Sequence, residues 1–292
     1  MAFARIHATA GEWIQGWIDG RELLVSLSID WIGEIFLRPQ TPDSKGHALE
    51  QKARRAFTLA KRRFRRNFEN LHVAIDNPHP RAKGFATSTI DVAGVIAVCS
   101  AMTGNVIAAE ELFSLCCTIE PSDGVMFEGL ALVDHIGGRL VESLPPPPEM
   151  GLLVLIPERT LDTADYRRGT VIEKRVKSLA KEFESAYDTL KKGLLRNDPL
   201  LIAEAASLSS ELQQRVMPRE EWPLLQKAEK TFGASGIAVA HSGSASSLLF
   251  ASSPPEAREL STWLSKEKDG AKLCVKKAMA TSGGFEAGKM QQ

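Results

Sequence analysis

Pro80-Arg-Ala-Lys-Gly-Phe-Ala-Thr-Ser-Thr89, with the apolar run Ile90 to Ala101 behind it, is the stretch on which the fold turns. Leu71 to Asp76, ahead of it, reads as a short strand ending in Asn-Pro-His-Pro, so the local order is strand, small-residue loop, helix. Few side chains obstruct a loop of Gly84, Ala86, Thr87, Ser88 and Thr89, and its backbone can come close to a ligand. The helix that follows opens with N–H groups lacking intrahelical partners, which face outward as an anion site. The three hydroxyls can cap that helix, bond phosphate oxygens or reach a metal held by them. Alone, the pattern is also that of an ordinary Ser/Thr-capped helix. Lys83 precedes Gly84, so this is not the lysine-ended loop of Walker-type nucleotide sites.

The chain around this stretch has 292 residues, enough for one large domain or two fused lobes. An apolar content of 43% and a charged content of 25% are those of a globular protein. Basic and acidic side chains balance at 36 each, so no global field favours nucleic acid or an anionic membrane. No apolar run approaches the ~18–20 residues that span a bilayer, and Met1 to His7 lacks the pattern of a signal peptide. Cys99, Cys116, Cys117 and Cys274 form no C-x-x-C pair and read as free thiols in a reducing, cytoplasmic setting.

Strands are expected at Ala4 to Ala8, Glu22 to Leu27 and Asp30 to Leu37, with Ala10 to Gly16 as a glycine-bracketed turn and Gln40 to Gly46 as a loop. His47 to Asn70 has helical spacing of Ala53, Ala56, Phe57, Ala60, Phe64 and Phe68. Its basic cluster Lys61 to Arg66 reads as the solvated face of that helix rather than a nucleic-acid site. A second apolar helix spans Asn105 to Thr118, Ile119 to Val125 is a turn, and a hairpin surrounds Gly137-Gly138. Pro145 to Pro148 is a stiff linker that divides the chain into 1–146 and 147–281, with 282–292 as a frayed tail. In the second part Gly151 to Ile156 is a buried strand. Val171 to Leu190, Pro199 to Val216, Arg219 to Phe232 and Pro254 to Lys266 are helical. Ala234 to Phe250 is a strand pair about a small-residue turn, and Ala271 to Val275 is a last strand.

Three turns therefore carry chemistry: Gly84 to Thr89, Glu120 to Gly124, and His241 to Ser246. Phosphoryl transfer needs a phosphate cradle, an acidic metal ligand and a group that receives or orients the acceptor hydroxyl. Glu120 suits Mg²⁺, and Asp123 suits the acceptor's proton, although by spacing alone Glu120-Pro-Ser-Asp123 is a turn with local hydrogen bonds.

Taken together, the chain resembles the GHMP small-molecule kinase superfamily, and within it the L-threonine kinases of cobalamin synthesis and propanediol utilisation. The resemblance rests on Gly11-Glu-Trp-Ile-Gln-Gly16, on Val25-Ser26 through Asp30, and on Pro80 to Ser88 against the superfamily loop Pro-x-x-x-Gly-Leu-Gly-Ser-Ser. Ala86 stands for the second glycine and Thr87 for the first serine. Ala240-His-Ser-Gly-Ser244 is similar to the family's C-terminal turn, though glycine-poor. The resemblance implies an α+β, two-lobed GHMP kinase fold with a ribosomal-protein-like N-terminal lobe and a ferredoxin-like C-terminal lobe. It implies ATP on Lys83, Gly84, Phe85, Ala86, Thr87, Ser88 and Thr89, with Mg²⁺ on Ser88 and Glu120. Asp123 is the expected base, with Asp134 next and base-free attack by a polarised hydroxyl left open. An amino-acid or small-alcohol substrate falls to Glu12, Asp30, Ser242 and Gly243, with L-threonine first and homoserine as the alternative acceptor. The remaining alternative is a non-catalytic ligand-binding relative. No nucleic-acid or membrane partner is expected, and homodimerisation is left open.

Overall fold

In the computed structural model, which describes residues 1–40, 49–159, 170–268 and 270–290, the chain opens as one long hairpin. Strand β1 (Ala2–Ile18) pairs antiparallel with β2 (Arg21–Pro39). Asp19 and Gly20 join them with φ of 49° and 72°, the positive pair that a two-residue hairpin turn requires. Ala10 to Gly16, expected as a turn, is instead part of β1, with register shifts between His7 and Ile14. Its glycines serve close approach: a Cβ on Gly16 would sit 2.3 Å from the Phe183 ring. The bulged segment gives up ladder bonds and is held by side chains from the second half of the chain. Ser247 Oγ donates to the Ala10 carbonyl (2.7 Å), Gln213 Nε2 donates to the Gln15 carbonyl (3.2 Å), and Gln15 Nε2 donates to the Val239 carbonyl (2.9 Å).

β3 (Leu71–Asp76) pairs with the end of β2, while β4 (Leu130–Asp134) and β5 (Arg139–Leu144) extend the sheet from its start. Helix α1 (Gln51–Phe64) stops earlier than the Asn70 expected, where Arg65 turns left-handed (φ 50°). Positions 41–48, which hold most of the predicted loop and the predicted start of that helix, lie outside the described residues. α2 (Thr87–Thr103) is apolar on every side and buried on every side, packed against β1, β2 and α1. α3 (Ala109–Cys117) is shorter than predicted.

The second sheet contains β6 (Gly151–Pro157), β7 (Gly236–Val239), β8 (Ser246–Phe250) and β9 (Leu273–Met279), ordered β7-β8-β6-β9 and antiparallel throughout. Between β6 and β7 run α4 (Thr170–Ser178), α5 (Ala180–Arg196), α6 (Pro199–Val216) and α7 (Trp222–Phe232); α8 (Ala257–Leu264) precedes β9. This is the strand order of a ferredoxin-like split β-α-β. The single helix predicted over Val171 to Leu190 is two, broken at Leu179. The predicted frayed tail contains β10 (Phe285–Lys289), which pairs with β1 from Ala2↔Lys289 to Ile6↔Phe285. The last described strand therefore closes the edge of the first sheet. Gln291 and Gln292 lie outside the described residues.

Candidate active site

A cleft of about 710 Å³ lies over the start of α2, lined by the loop Gly84 to Thr89, by Glu120 and Asp123, and by His241 and Ser242. Ala86, the residue before α2, is left-handed (φ 54°), a conformation that costs an L-residue about 1–2 kcal/mol. No side chain caps the helix there. The hydroxyls of Ser88 and Thr89 reach across to the facing loop instead. Ser88 Oγ donates to Glu120 Oε1, and Lys52 Nζ donates both to Glu120 Oε2 and, at 3.1 Å, to Ser88 Oγ. Thr89 Oγ1 donates to Asp123 Oδ2 (2.9 Å) and accepts from the Asp123 N–H (3.2 Å).

The carboxyl pair at the floor is electrostatically tuned. Glu12, on the bulged part of β1, is 3% exposed, and its Oε2 is buried without a hydrogen-bond partner. Burial, reinforced by the Asp123 charge, holds its carboxyl well above the usual carboxylate range, against the Ser26 hydroxyl and the His241 backbone N–H. Burial raises Asp123 too, with Glu120 adding to the rise and Thr89 and His241 opposing it. Burial and mutual charge thus both disfavour ionisation of Glu12.

The third turn, Ala240 to Ala245, rests on the loop Gly84 to Thr89. A Cβ on Gly84 (φ 92°) would lie 2.3 Å from the Ala240 Cβ, and one on Gly243 would lie 2.2 Å from the Gly84 nitrogen. The Ala245 N–H donates to the Lys83 carbonyl (2.8 Å). Arg219, 5% exposed, holds the turn from behind, donating to the carbonyls of Ala240 (2.5 Å) and Gly243 (2.9 Å). Arg81 Nη2 donates to Asp91 Oδ2 (2.8 Å), which fixes the loop to α2 and leaves the guanidinium on the cleft wall.

Among the predicted site residues, Lys83, Asp30 and Gly243 are not on the cleft wall. The Lys83 ammonium is committed to the carbonyls of Pro157 (2.6 Å), Glu158 (2.8 Å) and Arg159 (2.6 Å), away from the cleft. Burial, with Arg159 nearby, lowers its pKa. Phe85 is on the cleft wall, but it is 1% exposed and packs on Trp31, so it anchors the loop. Asp30 accepts the Met279 N–H (3.0 Å) at a strand end and is absent from the cleft wall. Ser242 lines the cleft, whereas Gly243 faces the Gly84 backbone. Sequence reading missed Lys52, Arg81 and Arg219, because a lysine or arginine in a polar stretch carries no signal of the carboxylate or carbonyl it will meet.

Sequence and fold both resemble known proteins. The model of the GHMP kinases N terminal domain matches residues 51–128, a span from α1 to the loop that carries Asp123. The L-threonine kinase of Salmonella typhimurium is 32% identical over 250 residues, covering 85% of this chain and 83% of that protein. Homoserine kinase from Cytophaga hutchinsonii superposes with a TM-score of 0.70 at 17% identity, covering 98% of this chain and 96% of that one. A mevalonate diphosphate decarboxylase from Enterococcus faecalis, solved in a study of its ATP binding, gives 0.71 at 16% identity, covering 99% of each chain.

Proposed function

Because the chain belongs to the GHMP kinase family, we propose that it transfers the γ-phosphoryl group of ATP to the side-chain hydroxyl of L-threonine. The product, O-phospho-L-threonine, goes to cobalamin synthesis in the family this chain resembles. The observation that carries the reading is the meeting, in one cleft, of a helix start, the Ser88–Glu120 contact and a buried carboxyl pair with an unpartnered oxygen.

Ser88 and Glu120 supply hydroxyl and carboxylate oxygens and already accept the Lys52 ammonium, so the pair fits Mg²⁺ in both donor type and charge. A bound Mg²⁺ would neutralise charge on the phosphate oxygens. The first N–H groups of α2 face the same volume, and Arg81 and Lys52 bring cations to its wall. Asp123, oriented by Thr89, receives the proton of the acceptor hydroxyl, and its raised pKa brings it nearer the range useful for a base. Glu12 Oε2 accepts a hydrogen bond from the ammonium of the amino acid, whose positive charge favours the ionised carboxylate.

The direct test is ATP turnover with L-threonine, L-serine, homoserine and a sugar alcohol. L-threonine-dependent ADP release that requires Mg²⁺ supports the reading. Equal turnover on the sugar alcohol would overturn the role given to Glu12, and turnover confined to homoserine would overturn the choice of acceptor.

A further inference from the structure

We propose that Glu22, His135 and His241 form a second metal site, which takes a divalent transition ion of the Zn²⁺ class and clamps the two sheets together beside the cleft. One ligand atom from each residue lies within 4.8 Å of the others. His241 Nε2 is 3.0 Å from Glu22 Oε1, and the two imidazoles meet edge to face with centroids 5.0 Å apart. Zn²⁺ bonds of about 2.0–2.1 Å in a tetrahedron need ligand atoms about 3.3 Å apart, so side-chain shifts of an ångström or so complete the set.

Burial suits the assignment. His135 and His241 are 3% and 6% exposed, so their rings are already ordered. The Glu22 side chain, 24% exposed, leaves a way in from solvent. Two imidazoles and one carboxylate prefer Zn²⁺ or Co²⁺ to Mg²⁺, which takes oxygen ligands. The set shares no residue with Ser88 and Glu120.

The three ligands come from distant parts of the chain. Glu22 is on β2, His135 follows β4, and His241 is on the turn between β7 and β8. The His135 carbonyl accepts the Ser122 N–H (3.1 Å), in the loop that carries Glu120 and Asp123. The His241 backbone N–H bonds the Glu12 carboxyl, and the next residues, Ser242 and Gly243, meet the cleft and Gly84. An ion here would therefore hold two of the three functional turns in register.

The experiment uses the full chain, stripped with EDTA, dialysed into millimolar Mg²⁺, and titrated with Co²⁺ by visible absorption and with Zn²⁺ by calorimetry. Wild type binds one equivalent and develops cobalt ligand-field bands, and Zn²⁺ at 100 times its Kd raises Tm by about 4 °C. Glu22→Gln and His135→Ala each weaken binding by more than about 100-fold, beyond the usual cost of an outer-shell loss. Glu120→Ala binds Co²⁺ as wild type does. Absence of Co²⁺ and Zn²⁺ binding to wild type overturns the proposal and leaves His241–Glu22 as a hydrogen-bonded contact. Undiminished binding in Glu22→Gln also overturns it. Glu22 is partly exposed, so that variant decides the matter even if His135→Ala does not fold.

Discussion

Glu120 meets a hydroxyl and an ammonium at once, Ser88 of α2 on one oxygen and Lys52 of α1 on the other, from a loop outside the apolar core. Glu120→Ala should therefore leave Tm within about 2 °C of wild type. Turnover should fall by about 10²–10³-fold or more, the range for loss of one electrostatic stabiliser; a Mg²⁺ titration of steady-state rate checks this. Asp123→Asn keeps the Thr89 contact but has no basic oxygen to take a proton. It should lower kcat by about 10²–10⁴-fold with little change in KM for ATP. Glu12 gives a pH prediction. Its folded pKa is raised, so the folded state binds the proton more tightly and stability falls as pH rises from the ordinary glutamate value of 4.5 through the folded pKa. Glu12→Gln removes that penalty. Its Tm should exceed wild type's by roughly 2 °C or more at pH 8, and the gap should close as pH falls to 4.5, while KM for the amino acid rises. Thermal scans across that pH range check the sign: a gap that widens on acidification contradicts it.

Among the elements, two turns matter most because each fits against the other's backbone. A methyl group on Gly243 would meet the Gly84 nitrogen at 2.2 Å and the Lys83 carbonyl oxygen at 2.3 Å, and neither is a flexible side chain. Gly243→Ala should push the turn off the loop and raise KM for ATP by about tenfold or more, with a smaller change in kcat; initial rates at varied ATP measure this. The strand–loop–helix order around Gly84 was legible because each part has its own composition and period. The bulged middle of β1 was not, since Gly11 and Gly16 read as turn residues when Gly16 in fact admits the Phe183 ring. The turn itself is Asp19-Gly20, whose Asp-Gly pair is a standard hairpin signal. A lysine beside a glycine loop suggests phosphate, and nothing local announces that the Lys83 ammonium meets three carbonyls from residues 157–159.

Across the molecule, Glu12, Ser88, Glu120 and Asp123 come from a bulged strand, a helix start and a loop, and His241 joins them from the second sheet. Residue types and order suggested the set; its convergence depends on the pairing of distant segments, which periodicity does not encode. The same limit hid β10, whose Phe285-Glu-Ala-Gly-Lys289 is short and half polar and is a strand because β1 offers it an edge. Among the described residues no helix is long and apolar enough to cross a membrane. The most direct measurement of the central claim is ADP release by the purified full chain with Mg²⁺ and ATP, with and without L-threonine. The account predicts release that depends on L-threonine and yields O-phospho-L-threonine one for one with ADP. ADP release that is unaffected by L-threonine, or an undetectable phosphothreonine product, would contradict it.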